Sequence, residues 1–235
     1  MHTCNAPRLD ARLAAAFAYV RPGHVAADIG CDHGKLSAAL AGSGRCPLVL
    51  ACDLRPGPLE KARVTCAPCG NKVQCRLGSG LEVLAPGEAD DIIIAGMGAE
   101  TIIEILEAAP WVREEKIPLV LQPMSSLPEL RDWLEKNGYA IAREQLAREG
   151  DTLYVVMGVT AGEMGEQTPG QLWAGRQSRD PLRGEYLAQQ ERKLRRAVEG
   201  MAKSRGEETQ QRRRELEQVL SEISAMKEEW QKWQM

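Results

Sequence analysis

The sequence predicts an α/β fold with a mainly parallel sheet, followed by a separate helical region. Short apolar runs alternate with helical patterns from residue 8 to residue 136, and this alternation is typical of parallel strands joined by right-handed crossovers. Two further strand-like runs, Tyr139–Leu146 and Thr152–Val159, flank a turn at Gly150-Asp151. They predict an antiparallel hairpin that completes a seven-stranded sheet. Beyond residue 180 the composition shifts to Glu, Gln, Arg and Lys.

The individual elements follow from apolar periodicity and from turn residues. An amphipathic helix over residues 8–19 precedes the first strand. The strands of the parallel part are predicted at Val25–Ile29, Leu48–Cys52, Val73–Leu77, Asp91–Ala95 and Ile117–Gln122. The helices between and after them are predicted at residues 35–42, 57–67, 99–109 and 126–136. The last helix ends at Asn137-Gly138, which is typical of a helix C-cap.

Two apolar stripes predict a pair of helices at the end of the chain. One stripe has spacings of 3-4-3-4-3 and comprises Leu216, Val219, Ile223, Met226, Trp230 and Trp233. A similar stripe comprises Leu187, Leu194, Val198 and Met201, and a break near residues 203–207 separates the two. Helices with such stripes are expected to fold back as an antiparallel coiled coil. We therefore expect an α/β domain at 1–160, a polar, glycine-rich linker at 161–180 and a coiled-coil domain at 181–235.

The charge balance restricts the possible partners. The chain has 30 Lys and Arg against 33 Asp and Glu, a net charge of -3, which argues against a wholly basic nucleic-acid binder. Residues 181–235 alone have 12 Lys and Arg against 10 Asp and Glu. This local excess fits either a solvated surface with many ion pairs or an appendage that grips RNA. No stretch has the ~20 apolar residues of a membrane span, so we expect a cytoplasmic protein without membrane contact.

The cysteines predict neither a disulfide framework nor a metal site. There are seven, an odd number scattered through apparent strands and helices, and this fits reduced thiols in a reducing compartment. Cys66-x-x-Cys69, with Cys75 six residues later, is the one cluster that resembles a zinc site. A fourth ligand is missing. The alternative, a helix end with small buried thiols, is the expected one.

The segment from Val25 to Lys35 predicts a nucleotide-like ligand. An apolar strand ends there in a turn with Gly30 and Gly34 and leads into a helix, so backbone N–H groups become accessible at a positive helix terminus. In the dinucleotide fingerprint G-x-G-x-x-G, the second glycine lets a pyrophosphate touch the backbone. Asp32 occupies that place here, and its carboxylate disfavours a diphosphate. A cationic ligand without phosphate fits better, which predicts S-adenosylmethionine.

Polar and glycine residues after the other strands agree with this ligand. Asp53 ends the second strand, 23 residues after Gly30, where a carboxylate can accept both ribose hydroxyls of an adenosine; the alternative is an N-cap for the next helix. Ser79, in Gly78-Ser79-Gly80, can bind the adenine amino group or belong to an ordinary turn. In Ala95-Gly96-Met97-Gly98, the glycines permit close approach and Met97 offers a soft apolar wall.

The terminal hairpin and the end of the fourth strand narrow the class of enzyme. A plain dinucleotide-binding sheet has no reason to end in a hairpin, whereas the class I methyltransferase sheet characteristically does. Enzymes that methylate an exocyclic adenine amine often have Asn-Pro-Pro-aromatic after the fourth strand. This chain has Ala95-Gly96-Met97-Gly98 there, which argues against that reaction.

The substrate side of the cleft is predicted less sharply. Gln122 ends the fifth strand in Gln122-Pro123-Met124 and offers an amide at the mouth of the cleft, or merely terminates the strand. Asp32 and His33 line the substrate side, hold the methionine amine, or cap the following helix. The residues alone do not decide among these roles.

Several motifs together resemble the bacterial tRNA (adenine(22)-N(1))-methyltransferase family, TrmK, from about Leu9 to the C-terminus. They are Leu9-x-x-Arg12-Leu13, Asp28-Ile29-Gly30-Cys31-Asp32-His33-Gly34, Gly78-x-Gly80-Leu81, Ala95-Gly96-Met97-Gly98, Leu121-Gln122-Pro123 and Trp133-Leu134. The resemblance implies methyl transfer from S-adenosylmethionine to N1 of an adenine in the D-arm of tRNA. It also implies that the C-terminal coiled coil helps to hold the RNA.

The resemblance also implies roles for individual residues. Those that would contact the cofactor are Asp28, Gly30, Asp53, Ser79, Gly80, Gly96 and Met97, with Leu54 and Gly78 beside them. Those that would lie toward the target base are Arg12, Asp32, His33 and Gln122. The family often has Asp where this chain has Ser79, so the adenine receives a neutral hydrogen bond instead of a charge-assisted one.

Two other functions fit the same sequence features. One is a class I methyltransferase for a small molecule or a protein, whose helical tail serves only dimerisation. The other is a non-catalytic module that binds S-adenosylmethionine and presents the coiled coil to a protein partner. We expect a monomer or a weak dimer.

Overall fold

The structure is a computed structural model that describes residues 7–202 and 206–234. The chain divides into two compact units. Unit 1 comprises Met1–Ser126 and Trp133–Met164, and unit 2 comprises Leu127–Asp132 and Gly165–Met235. In the part of the chain that the structure describes, no helix is long and apolar enough to span a membrane.

Unit 1 contains a seven-stranded mixed sheet. Its strands are β1 (Ala26–Ile29), β2 (Val49–Asp53), β3 (Val73–Leu77), β4 (Asp91–Met97), β5 (Leu119–Pro123), β6 (Tyr139–Glu149) and β7 (Thr152–Ala161). The order in the sheet is β3-β2-β1-β4-β5-β7-β6. Strands β1 to β5 are parallel, whereas β6 and β7 form an antiparallel hairpin that joins the sheet through β5. The predicted fold class is confirmed.

The helices follow the strands as the sequence predicts, with ends that differ by up to three residues. They are α1 (Ala11–Tyr19), α2 (Lys35–Gly42), α3 (Pro56–Cys66), α4 (Ala99–Glu107), α5 (Trp111–Glu114) and α6 (Leu127–Lys136). Helix α5 and a 3-10 helix at Ala67–Lys72 were not among the predicted elements. Both are short connections, so they lack the apolar periodicity that reveals a longer helix.

The centre of the sheet is the core of unit 1. All residues of β1, β2 and β5 are buried, as expected for parallel strands that carry helices on both faces. Strand β1 lies between β2 and β4. The chain continues from β1 to β2 and β3 on one side of the sheet and then returns to β4 on the other side. Such a point opens a crevice at the carboxyl ends of the strands, where ligands of open α/β sheets bind. The fold therefore brings the turns after β1, β2, β3 and β4 to one edge.

Unit 2 contains α7 (Pro169–Ala174), α8 (Arg183–Met201) and α9 (Glu207–Gln234). The long helices α8 and α9 are antiparallel, because Glu191 contacts Ser224 and Lys227 while Gly184 packs on Trp230. The predicted stripe is buried from Leu216 to Met226, but Trp233 is 44% exposed. Residues 203–205 of the predicted break lie outside the described residues.

Helix α7 lies in the segment that the sequence predicts as a linker. Two arginines donate hydrogen bonds to the carbonyl groups at its end: Arg131 to Leu172 and Trp173, and Arg183 to Ala174 and Gly175. Both side chains are almost fully buried. Cations at a helix C-terminus satisfy carbonyl groups that have no partner within the helix. Segment 161–180 is thus partly a packed element of unit 2.

The cysteines differ in one respect from the expectation. Free thiols among the described residues are Cys31, Cys46, Cys52, Cys66 and Cys75. Cys69 is disulfide-bonded, so the expectation of a fully reduced set is wrong at that position. No group of three or more His, Cys, Asp or Glu side chains within the described ranges is arranged to hold a metal ion.

Candidate active site

A cavity of about 700 Å³ opens at the carboxyl ends of β1 to β4. This volume lies within the ~300–1,000 Å³ of typical small-molecule sites. The predicted site residues on its lining are Arg12, Asp28, Gly30, Asp32, His33, Asp53, Leu54, Gly78, Ser79, Gly80, Gly96 and Met97. Gln122 is not on the lining. The fold thus brings together almost all of the residues that were singled out in the sequence.

The two glycines after β1 have different tasks. Gly30 has a φ of +72°, and a Cβ on it would collide with the terminal methyl group of Met97. Gly34 has a φ of +69° and is the N-cap of α2. A Cβ on Gly34 would lie 2.9 Å from the Cβ of Ala62 on α3. Gly30 therefore lets the turn after β1 lie close to the end of β4 at the cavity, while Gly34 serves helix packing.

Asp32 adopts a left-handed conformation with a φ of +49°. Aspartate is one of the few residues besides glycine that adopt this conformation readily. Its side chain is 61% exposed at the cavity. The N-cap of α2 is Gly34, and no side chain caps that helix, so neither Asp32 nor His33 has the capping role that the sequence left open.

Asp32, His33 and Lys61 form a small polar cluster at the rim of the cavity. His33 Nε2 lies 3.8 Å from Asp32 Oδ1 and 3.4 Å from Lys61 Nζ. Lys61 was missed in the sequence because it lies in the middle of α3 and belongs to no motif. The cluster places two groups of opposite charge beside the imidazole.

Asp53 joins the turns after β1 and β2. Its buried carboxylate accepts hydrogen bonds from the backbone N–H groups of Asp32 at 3.0 Å and Arg55 at 2.9 Å. The N-cap of α3 is Arg55, without a side-chain cap, so the alternative role of Asp53 as an N-cap does not apply. Because each carboxylate oxygen accepts one backbone bond, each retains a lone pair for a ligand hydroxyl.

Asp28 is a second buried carboxyl group, at the end of β1. It is 4% exposed and accepts a hydrogen bond of 2.6 Å from the hydroxyl of Ser37. Burial raises the pKa of Asp28 to about 6, although the hydrogen bonds from Ser37 oppose this shift. A carboxyl group with this pKa is mostly ionised at pH 7, and a nearby cation would favour its ionised form further.

The turn after β3 forms the far end of the cavity. A Cβ on Gly78 would collide with Val83, and Gly80 has a φ of +50°. The hydroxyl of Ser79 makes no hydrogen bond with another described residue and stands exposed on the cavity lining. Leu54, which follows β2, is 65% exposed on the same lining. An exposed apolar side chain and a free hydroxyl on one cavity lining suit a planar heterocycle with polar edges.

Gln122 is placed differently from the expectation of an amide at the mouth of the cleft. It is fully buried, and its Oε1 accepts hydrogen bonds from Arg12 Nη1 at 2.7 Å and from the backbone N–H of Gly96 at 3.1 Å. Its Nε2 donates to the carbonyl group of Pro123 at 2.9 Å. Gln122 therefore supports Arg12 and the turn after β4 from behind. Arg12 itself reaches the cavity.

The fold and the site together define a class of protein. A seven-stranded sheet that ends in an antiparallel hairpin, with buried carboxylates after β1 and β2, is the arrangement of class I methyltransferases. The family model described as "Methyltransferase domain" matches residues 9–157 of the chain. The chain is thus a member of the methyltransferase-domain proteins.

More specific relatives come from two kinds of comparison. The tRNA (adenine(22)-N(1))-methyltransferase of Bacillus subtilis (strain 168) is 35% identical over 161 residues, which cover 68% of each chain. The crystal structure of the m1A22 tRNA methyltransferase TrmK of B. subtilis is 27% identical with a TM-score of 0.80, covering 94% of this chain and 99% of that one. The Streptococcus pneumoniae protein Sp1610, a suggested tRNA (m1A22) methyltransferase solved with S-adenosyl-L-methionine, is 26% identical with a TM-score of 0.80 over 94% and 100%. This chain belongs to the tRNA (adenine(22)-N(1))-methyltransferase family.

We expect Gly30→Ala to lower the free energy of unfolding more than the same substitution at a glycine with open space around it. Gly44 has a φ of +74° and free space around its Cα, so Gly44→Ala measures the backbone strain alone, about 1 kcal/mol. Gly30→Ala also forces the end of the flexible Met97 side chain to move aside and should lower the free energy of unfolding by about 1.5–2.5 kcal/mol in all. Urea unfolding of the full chain measures both.

The variant Gly30→Ala/Met97→Ala separates the collision from other causes. In a Met97→Ala background, Gly30→Ala should lower the free energy of unfolding only as much as Gly44→Ala does in the wild type. An undiminished effect in the Met97→Ala background would show that the approach of these two residues is unimportant.

We expect Asp28→Asn to stabilise the folded chain at neutral pH. The pKa of Asp28 is raised to about 6 from 3.8, so the contribution of this group to stability is greatest below pH 4 and is lost as pH rises through about 6. Asparagine still accepts the Ser37 hydrogen bond but carries no charge. The variant should exceed the wild type by about 2 kcal/mol at pH 7.5.

The same comparison at pH 4 provides the control. There the wild-type carboxyl is protonated in the folded state and about half protonated in the unfolded state, so urea unfolding should give stabilities that differ by only about 0.6 kcal/mol. A variant that is less stable than the wild type at pH 7.5 would contradict the assigned cost of burying this carboxylate.

Proposed function

We propose that this chain transfers a methyl group from S-adenosylmethionine to N1 of adenine 22 in the D-arm of tRNA. The observation that carries the proposal is the cavity at the carboxyl ends of β1 to β4, with its two buried carboxyl groups, in a chain of this family. The relatives supply the target nucleotide, because the B. subtilis protein is named for adenine 22 and N1.

The residues on the cavity fit S-adenosylmethionine. Asp53 has lone pairs for the ribose hydroxyls, and Ser79 with Leu54 suits the adenine. Asp28 offers a negative charge to the cationic end of the ligand. Asp32, exposed at the turn where a dinucleotide site needs a glycine, opposes a diphosphate.

The chemistry needs positioning more than a reactive side chain. When bound, S-adenosylmethionine supplies a methyl group on a positively charged sulfur. The N1 lone pair of adenine forms the new C–N bond as the C–S bond breaks, so the positive charge passes to the adenine, which can lose its N6 proton to solvent. The walls of the cavity hold the reactants in line and exclude water.

The rim of the cavity faces the target base in this proposal. Asp32 provides a carboxylate that stabilises the positive charge arriving on the adenine. His33, between Asp32 and Lys61, extends the polar rim toward the RNA. Because N1 lies on the pairing edge, the base must leave its stack first, at a cost of a few kcal/mol.

The long helices of unit 2 offer a surface for the tRNA. Many of their cations are already engaged: Arg195 with Glu191, Arg212 with Glu215 and Arg213 with Glu217. Arg192 and Arg196 are exposed one turn apart on α8 and make no ion pair with any described residue. Cations without protein partners are the ones that gain most from phosphate contacts. We therefore place RNA contact at Arg192 and Arg196.

The direct test is incubation of the full chain with labelled S-adenosylmethionine and unmodified tRNA, followed by nucleoside analysis. We expect the label in N1-methyladenosine. Label only in N6-methyladenosine, or in no nucleoside, would contradict the proposal. The second outcome would favour a methyltransferase for a small molecule or protein, or a non-catalytic module that binds the cofactor.

Asp32→Ala should impair turnover more than cofactor binding. We expect kcat for tRNA methylation to fall about 10- to 100-fold because a charge near the reacting base is lost, with less than threefold change in the Kd for S-adenosylhomocysteine. Asp32→Asn serves as the matched variant, because asparagine tolerates the left-handed backbone but has no charge. Equal losses in kcat and in cofactor affinity would assign Asp32 to the cofactor site.

Arg192→Ala/Arg196→Ala should raise the KM for tRNA about 10-fold or more and weaken its salt dependence. The Kd for S-adenosylhomocysteine should not change. Arg213→Ala removes a cation that is held 2.9 Å from Glu217 on the same helix and should change the KM less than threefold. An unchanged KM in the double variant would contradict the proposed RNA surface.

A further inference from the structure

The cationic side chains on the described lining of the cavity are not equivalent. Arg55 is 69% exposed and lies beside Asp53, and Lys35 is exposed at the start of α2. Arg12 is only 19% exposed. Its charge is thus the least screened by water, and an anionic ligand group gains most by lying against it.

Arg12 is held in place from two sides. Gln122 Oε1 accepts from Nη1 at 2.7 Å, and the backbone N–H of Arg12 donates to Glu149 Oε1 at 3.0 Å. Asp10 Oδ2 forms an ion pair with Nη2 at 3.9 Å, a distance too long for a hydrogen bond. The Nε and Nη2 groups have no hydrogen-bond acceptor among the described residues. These two groups form the edge that binds a carboxylate through two parallel hydrogen bonds.

The guanidinium group lies over the carboxyl end of β4. Gln122 bonds both Arg12 and the backbone N–H of Gly96, and a Cβ on Gly96 would be 3.3 Å from Arg12 Nη1. Any side chain at position 96 would therefore crowd the guanidinium. The fixed glutamine and the glycine together set the position of this cation at the edge of the sheet.

The order of strands aligns the cavity groups with the parts of the cofactor. Ser79 follows β3, Asp53 ends β2 and Asp28 lies near the end of β1, in the sheet order β3-β2-β1-β4. Neighbouring strands are about 4.8 Å apart. An extended ligand with adenine at β3, ribose at β2 and its amine at β1 has its last group at β4. In S-adenosylmethionine that last group is the carboxylate of the amino acid.

We propose that Arg12 binds the α-carboxylate of the methionine part of the cofactor and that Gln122 is the residue that positions Arg12. Asp28 and Arg12 then form a pair of opposite charges for the zwitterionic amino acid. The inference rests on the proposed cofactor and assigns Arg12 to the cofactor side, not to the target base as the resemblance implies.

The test compares two ligands that differ in one group. Decarboxylated S-adenosylhomocysteine retains the adenosine, the sulfur and the amine but lacks the carboxylate. Isothermal titration of the full-length wild type should give a Kd for S-adenosylhomocysteine about 10- to 100-fold lower than that for the decarboxylated ligand. In Arg12→Met this ratio should fall to about 1, because only S-adenosylhomocysteine loses affinity.

Matched variants exclude general effects. Arg55→Met removes the same charge at the ribose end of the cavity and should change both Kd values by the same factor, leaving the ratio as in the wild type. Arg12→Lys retains the charge without the two-pronged edge and should give an intermediate ratio. Binding of the decarboxylated ligand shows in each variant that the adenosine part of the site is folded.

Gln122 is tested through the same ratio. Gln122→Leu should reduce the ratio toward 1. Gln122→Glu loses the donor to the Pro123 carbonyl group but retains an accepting oxygen for Arg12 and Gly96, and it should retain the ratio. If Gln122→Leu weakened the binding of both ligands by the same factor, the role of Gln122 would be purely structural and its assignment as the residue that positions Arg12 would be wrong.

Two results would overturn the assignment of Arg12. If Arg12→Met weakened the binding of both ligands by the same factor, Arg12 would support the structure of the whole site. If the Kd for S-adenosylhomocysteine did not change, Arg12 would lie on the RNA side. Neither result would contradict the proposed function. The proposed function would be contradicted if the wild type bound neither S-adenosylhomocysteine nor its decarboxylated form.

Discussion

The candidate active site depends on the close approach of the turn after β1 to the end of β4. Gly30 leaves no room for a side chain because the end of Met97 fills the space where its Cβ would be. Gln122 fixes the end of β4 by accepting a hydrogen bond from the N–H of Gly96. This approach places Asp28 and Gly96 on neighbouring strands of one cavity edge. The other side chains that line the cavity are arranged around this edge.

Burying carboxyl groups at this edge opposes folding but favours binding. Desolvation raises the pKa of Asp28, and the buried Asp53 accepts hydrogen bonds from two backbone N–H groups, with Arg55 Nε 3.8 Å away. A cationic ligand with two neighbouring hydroxyls relieves both costs when it binds. In the proposed function the exposed carboxylate of Asp32 repels a diphosphate, and we propose that selectivity comes from exclusion as well as attraction.

Local patterns made much of the fold predictable. Strand β3 was predicted with its observed bounds, Val73–Leu77, and the hairpin followed from Gly150-Asp151 because apolar periodicity and turn residues act over short distances. Helix α7 was missed although Thr168 and Gln171 form a capping box. A capping box predicts the start of a helix, but the surrounding glycines and polar residues indicated a linker.

The site was predictable where a role follows from the end of a strand. Asp53 and Met97 were recognised because they follow apolar strands, and both line the cavity. The position of Gln122 was not predictable, since its burial depends on the pairing of β5 with β4 opposite Ala95. The raised pKa of Asp28 likewise depends on tertiary burial. Asp10, which lines the cavity and caps α1 through Leu13, was predicted only as part of a helix.

The central claim is that this edge of the sheet binds a cationic adenosine ligand and rejects a dinucleotide. Calorimetric titration of the full chain with S-adenosylmethionine and, separately, with NAD tests it most directly. The structure predicts one S-adenosylmethionine per chain and no measurable binding of NAD. Binding of NAD with equal or higher affinity, or no binding of S-adenosylmethionine, would contradict it.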